Sequence, residues 1–487
     1  MTNKVSPHAT SDDQDQPSRA VRLLLWLLQP KIDIPLCVFV ALIVGPFAYR
    51  GMRLSLIPEP PEPFDIAAFK ADIVPDDSNA ASLLIEATKL FVPVPAALNA
   101  NFDDAIHQGW EAASEDVRKW CTNNRPALDA WLKAARMPDM QLFKPGEFQV
   151  DPSSNDMSST RHITHLLILE ADRLRIGKKQ REAYELLLDG HRVADHIARR
   201  GSILDTLIAE VARADVGSQL VKHAASPLTT SDDLKYLLRE LQDLERTRPA
   251  HSHAIKVEYL WIHGFTTQKS LYEMSEMIGS GSPEDLFLPL LYFRGEPDNT
   301  RKATGHLHGR TLEQIDKPRH QRTKLRGKAG FHVFEADPTR SGHQWSADEI
   351  SEFVDATHLA RTFGSSIEHI IRAYDSYAAR RDMTIVAIAL EIHQREYGHY
   401  PDRLDELVPN LLPTIPDDAL AATKTPLKYS REGDSAKLWS VGENETDDGG
   451  AFTQAWNRSD NDLGIALGPL QKNLEQKKTS ASASDEP

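Results

Sequence analysis

Cysteine is nearly absent from this chain of 487 residues, which carries only Cys37 and Cys121. One lies in an apolar run and the other far from it, so a disulfide framework and a thiolate metal cluster are both excluded. An extracytoplasmic body without disulfides points to a bacterial envelope more than to a eukaryotic secretory route. Basic charge is in deficit as well, with 56 Lys and Arg against 71 Asp and Glu and a net charge of −15. That balance argues against a general nucleic-acid binder, whose surface must offset phosphate. Also missing are the phosphate-cradling GxxxxGK[ST], the dinucleotide GxGxxG, the GxSxG elbow and the metalloprotease HExxH. The sequence therefore nominates no catalytic residue and no organic cofactor.

Long apolar runs are scarce too, and the single one present organises the reading. Residues 34–49, IPLCVFVALIVGPFAY, are uncharged, and with Ile32, Gly51 and Met52 they reach the roughly 17 residues a spanning helix needs. Lys31 and Asp33 precede the run, and Arg50 and Arg53 follow it. No small-x-small cleavage motif follows, so an uncleaved anchor over 32–52 is expected. Arg19, Arg22 and Lys31 on the N-terminal side favour an inside N-terminus, and a short tail is easily left in the cytoplasm. The expectation is a single-pass inner-membrane protein with its C-terminal body outside the cytoplasm.

In order, the chain divides into a largely disordered cytoplasmic tail (1–31), the anchor (32–52) and a proline-rich linker (53–75). The linker contains PEPPEP at 58–63, expected to stand as an extended spacer. Apolar residues then recur at three- and four-residue steps, as in Ala80, Leu83, Leu84 and Ala87 or Leu234, Leu237, Leu238 and Leu241. They predict a helical bundle or solenoid-like domain over 76–263. An irregular basic insert (264–345) follows, with Lys317, Arg319, Arg322, Lys324, Arg326 and Lys328 close together. Long helices are expected over 346–386, opened by a capping box at Ser346 and Glu349. A small α+β module (387–456) and a disordered tail (457–487) complete a mainly α chain.

The module runs from a helix stopped at Gly398, through Tyr400 and Pro401, to a two-stranded hairpin over 427–441 and an acidic glycine-rich loop. Its Tyr397-Gly398-His399-Tyr400-Pro401 turn, Leu404, Leu407, Pro416-Asp417, Pro426, Tyr429, Ser440, Gly442, Gly449 and Gly450 resemble the C-terminal part of the major pseudopilin of type II secretion systems. The whole arrangement also resembles membrane-anchored bacterial envelope proteins in which VPDDSNAA, here near residue 74, recurs as the entry to a helical domain. The resemblance implies envelope or secretion-type partners in addition to membrane lipid around the anchor. It also implies that the final loop can hold calcium, with Asn444, Asp447 and Asp448 supplying oxygens. Asn444 stands where an aspartate is usual in that family, and Glu445 replaces a glycine.

One other metal arrangement suggests itself. His162 and His165, a helical turn apart, could share an ion with Glu170 or His191, as an anchored metal-dependent hydrolase would require; His191 and His196 are a poorer pair. A binding or scaffolding ectodomain is the leading expectation and that hydrolase the alternative. Trp110, Trp120 and Trp131 are expected in the core.

Overall fold

Apolar spacing dictates helices, and helices form most of the body in the computed structural model. It describes residues 38–39, 52, 56–145, 157–267, 296–325, 327, 345–357, 360–361, 367–452 and 461–471. The expected tail 1–31 and, apart from Val38, Phe39 and Met52, the expected anchor 32–52 lie outside the described residues, as do Arg326 and Lys328. Among the described residues no helix is long and apolar enough to cross a membrane.

The first part of the body consists of α1 (Ile66–Ala71), α2 (Ala81–Leu90), α3 (Asn99–Gln108), α4 (Glu115–Asn123), α5 (Arg125–Ala135), α6 (Met157–Ile176), α7 (Gln180–Arg199), α8 (Ile203–Ala224) and α9 (Ser231–Arg246). Then come α10 (Ser252–Thr267), α11 (Glu296–Gln314), α12 (Ala347–Ala356) and the 31-residue α13 (Ile367–Tyr397). Side chains that satisfy the first turn fix several starts. Ser202 with Asp205, Thr230 with Asp233, and Ser346 with Glu349 each form a reciprocal capping box.

VPDDSNAA is a structural clamp. Asn79 Oδ1 accepts from Ala81 N at 3.0 Å and from Gln141 N at 2.9 Å, while its Nδ2 donates to Gln141 O at 3.0 Å. The side chain thereby ties the entry of α2 to the strand-like stretch after α5. Trp120 and Trp131 fill the core behind it, and Trp110 packs partly buried at its edge.

Two apolar cores are present. The larger draws on α2 to α9, the second half of α13 and the C-terminal sheet; the smaller on Ile57, α10, α11, α12 and the start of α13. Helix α13 enters both, with Ile371 and Tyr374 in the smaller and Met383, Val386 and Leu390 in the larger. The expected boundary between 386 and 387 therefore falls inside one continuous helix, and the C-terminal module shares its core with the bundle.

Three further expectations need correction. The insert 264–345 was expected to be irregular, yet α11 spans 19 of its residues. Its buried face carries Thr300, Thr304, His308 and Thr311 beside Ala303 and Leu307, so apolar periodicity does not reveal it. Thr304 and Thr311 hydroxyls donate to the carbonyls one turn back, each at 2.7 Å, which makes their burial tolerable. The tail 457–487 contains β3 (Leu463–Leu467), buried at all five positions. A strand covered on both faces shows no alternation, and so resembles a stray apolar run. It extends the hairpin of β1 (Lys428–Glu432) and β2 (Ser435–Ser440) into an antiparallel β1-β2-β3 sheet, with Leu438 opposite Ile465. Finally, the linker 53–75 is no free spacer, because from Ile57 to Val74 it is laid against the body. Val74 N donates to Gln141 Oε1 at 2.9 Å and Asp72 pairs with Arg200 at 2.6 Å.

Because sheet and bundle share one core, Ile465→Ala is expected to cost about 2 to 5 kcal/mol in urea unfolding and to shift a single transition. A separate early transition for the C-terminal part would contradict the shared core.

Candidate functional site: a buried charge cluster

The densest set of ionisable groups lies where α7, α8, α9 and α13 meet. Helical spacing brings it together: His191 and Asp195 are one turn apart on α7, and Glu210 and Arg213 on α8. Arg213 Nε donates to Asp195 Oδ1 at 2.9 Å, and its Nη1 to Glu210 Oε1 at 2.9 Å. Arg248, just beyond α9, donates to the same Glu210 oxygen, and His251 Nε2 stands 3.3 Å from it. The outer layer consists of Glu245, 3.5 Å from Arg381 Nε and 3.8 Å from Arg248 Nη1, and of Asp382, which accepts from Arg381 at 2.8 Å. The His251 ring stacks on Tyr374 at 4.1 Å.

Burial alone would raise the Glu210 carboxyl, but Arg213, Arg248 and His251 outweigh it and hold that carboxyl well below the usual range. Burial would lower Arg213, and Glu210 and Asp195 more than compensate, so its guanidinium stays charged. His191 has the opposite balance. Burial pulls it down to about 4, and Asp195 only partly counters that, so the ring is neutral at pH 7. Glu245 is pushed up by burial against the pull of Arg381 and Arg248.

A narrow cleft opens beside these groups, walled by His191, Glu210, Arg213, Glu245, Arg248 and Tyr377. Gly217 lets α13 approach there, since a Cβ would stand 3.2 Å from Thr384 Oγ1. Chemically the cluster is a lock. Its carboxylates already accept from arginines, and no serine or cysteine nucleophile stands among the groups that wall the cleft. On α10 burial alone pushes the Glu258 carboxyl up to about 7.

The sequence-nominated histidines do not converge. His162 stacks over Phe91 with ring centroids 6.0 Å apart, and His165 Nε2 is 3.4 Å from Asp215. Glu170 is held by Arg125 and Arg173, each at 2.7 Å. His191 belongs to the charge cluster, while burial and Arg199 lower His196. Among the described residues no group of three or more His, Cys, Asp or Glu stands placed for a metal ion. Cys121 is buried, and burial together with Glu170 pushes its thiol up to about 12, far from a nucleophilic range.

The acidic loop does gather Asn444, Asp447 and Asp448. Asn444 Nδ2 donates to Asp448 Oδ2 at 2.8 Å, and Asp447 Oδ1 accepts from Trp439 Nε1 at 3.0 Å and Gly449 N at 3.1 Å. The Trp439 bond, then Gly449 and Lys428, hold Asp447 below the usual carboxylate range despite some burial. The loop is closed by Asp462, which accepts from Asp448 N, Gly450 N and Ala451 N at 3.3, 2.8 and 3.1 Å. Glu445 stands at φ +60°, the conformation glycine favours, and its carboxylate meets Arg319. Sequence reasoning missed Asp462, and it missed Asp418, whose buried carboxylate accepts from Ser440 Oγ at 2.6 Å and Val441 N at 2.9 Å. Asp462 could have been found as the acid directly before the apolar run Leu463–Leu467, whereas Asp418, second of an aspartate pair, carries no such signal.

Arg213→Met should leave Asp195 and Glu210 buried with too few donors and cost about 3 to 5 kcal/mol by chemical denaturation. A second expectation concerns pH. The folded pKa of His191 and of buried His308, about 4 in each case, lies below the unfolded value near 6.5. Protonation thus favours the unfolded chain, so their contribution is complete above pH 6.5 and is lost as pH falls towards 4, by up to about 3 kcal/mol each. Unfolding free energies measured between pH 7 and 4 should show that slope, and His191→Gln should reduce it. Comparison with family models, with curated proteins and with solved structures finds no match for this chain.

Proposed function

We propose that the chain is a single-pass, membrane-anchored envelope protein whose ectodomain binds or scaffolds other envelope or secretion-type proteins. What carries this reading is the docking of residues 57–74. The segment that follows the apolar run 34–49 buries Ile57 in the smaller core and, at its other end, buries Val74, whose N donates to Gln141 Oε1, so the run is joined to a firmly held body. A helical body with a paired ionic interior supports recognition more than turnover. The order of a long helix followed by a three-stranded antiparallel sheet supports the likeness of the C-terminal part to the major pseudopilin. In a pseudopilin the membrane helix continues directly into the globular part, whereas here α13 is packed into the bundle. The proposed role is accordingly a docking body and not a filament subunit.

Full-length protein is expected in the membrane pellet after ultracentrifugation and in the supernatant only after detergent. External protease on spheroplasts should degrade the part beyond residue 56. Recovery in the detergent-free supernatant would overturn the anchored reading, and full protease resistance would reverse the orientation.

A further inference from the structure

We propose that α11 and the aromatic wall beside it form a groove that recognises acidic, proline-rich segments, and that residues 57–64 are its resident ligand, seated in cis. The burial rhythm comes first. Ile57 is 1% exposed and Pro60 and Pro63 are half-buried, while Pro58, Glu59, Pro61 and Glu62 are exposed. Inward positions every third residue match the three-residue turn of polyproline II; a strand would have alternated and a helix would have drifted. Among the described residues no backbone–backbone hydrogen bond ties 57–64 to α11.

The receiving surface is shaped for proline. Gly305 and Gly309 are one turn apart on α11. A Cβ at the first would stand 2.5 Å from Pro60 Cγ, and one at the second 3.8 Å from Pro63 Cβ. His306 and Trp345, with ring centroids 4.6 Å apart, line the same groove as the prolines. Charge and aromatic contacts frame it: Glu59 pairs with Arg301, Phe64 meets Tyr259 edge-on at 5.4 Å, and Lys256 Nζ lies 5.7 Å over the Phe64 ring. The groove thus reads a carboxylate, two prolines three residues apart and an aromatic, the pattern Glu-Pro-x-x-Pro-Phe. A stiff proline helix loses little entropy on docking, which is why aromatic-lined grooves capture such segments elsewhere. The partner that fits is a protein bearing an exposed segment of this pattern. The tethered copy has the advantage of effective concentration, so the partner engages when the strap is displaced.

This surface rests on the reading of the ectodomain as a binding body, and its test is made in detergent, where membrane location plays no part, so each can fail without the other. The probe is a fluorescent peptide with the sequence of residues 56–64, added to full-length protein. Wild type is expected to bind it weakly. The Pro60→Ala/Pro63→Ala variant, with its strap loosened, should bind it at least tenfold more tightly, and adding Gly305→Leu should abolish the gain. A scrambled peptide of equal composition should not bind. No gain in a variant that melts like wild type, or equal binding of the scrambled peptide, would overturn the proposal. Should the double variant melt early, excess peptide added to wild type must still speed proteolysis within 57–64 several-fold, and an unchanged rate would overturn the proposal.

Discussion

Arg213 places its guanidinium between Asp195 of the preceding helix and Glu210 of its own, and Arg248 and His251 close on the same glutamate from the chain beyond α9. Removing such ions from water costs several kcal/mol each, and their attraction repays this only when the partners stand at bonding distance. That requirement makes the cluster selective for one arrangement. A slide of one helical turn along α7 or α8 would leave a bare charge in the interior. Apolar packing, which is non-directional, would tolerate the slide far better. The cluster therefore fixes register between helices that hydrophobic burial merely holds together.

Helix α13 carries that register across the molecule. Arg381 ties it to Glu245 beside the cluster, and seven residues earlier Tyr374 stacks on His251. The next residue, Asp375, meets Arg322 at 2.8 Å, and Arg319 bridges from the same region to Glu445 of the acidic loop. At its far end Arg395 donates to the carbonyls of Ala224 and Ser226 at 3.1 and 3.0 Å, closing the C-terminus of α8. Two cores and a sheet are thereby held to one rod. Part of the basic run that sequence alone leaves without a task is used internally, because Arg319 and Arg322 face carboxylates of α13 and the loop.

Much of the bundle was legible because its helices follow apolar periodicity and several start at Ser or Thr caps. The hairpin was legible from its turn, with Gly433 at φ +60°. Three things were not. Helix α11 hides its buried face in threonine and histidine, whose hydroxyls and ring nitrogen bond backward along the helix. Strand β3 has no polar face to alternate with. The strap reads as a spacer because proline-rich composition describes a free chain; only the glycine face of α11, more than 240 residues downstream, gives it somewhere to lie. For the candidate site, the sequence set His191 beside His162, His165 and His196, and not beside Glu210, Arg213, Glu245 or Arg381, which arrive from other elements. Of the nominated histidines, His162 stacks over Phe91, His165 faces Asp215 of α8 and His191 lies in the charge cluster, so they are drawn to different neighbours.

The cluster's own chemistry also limits what the body can do. A general base must lose and regain a proton near neutral pH, and Glu210, held far below that range by two arginines, cannot. His191, pulled down to about 4, remains neutral and gains no proton to donate. A guanidinium already bonded to two carboxylates has little left to offer a reacting anion. The same facts describe a rigid core, since paired polar groups resist rearrangement. On the proposed reading recognition falls to surfaces set by that core, and the glycine-floored face of α11 is one against which residues 57–64 already lie.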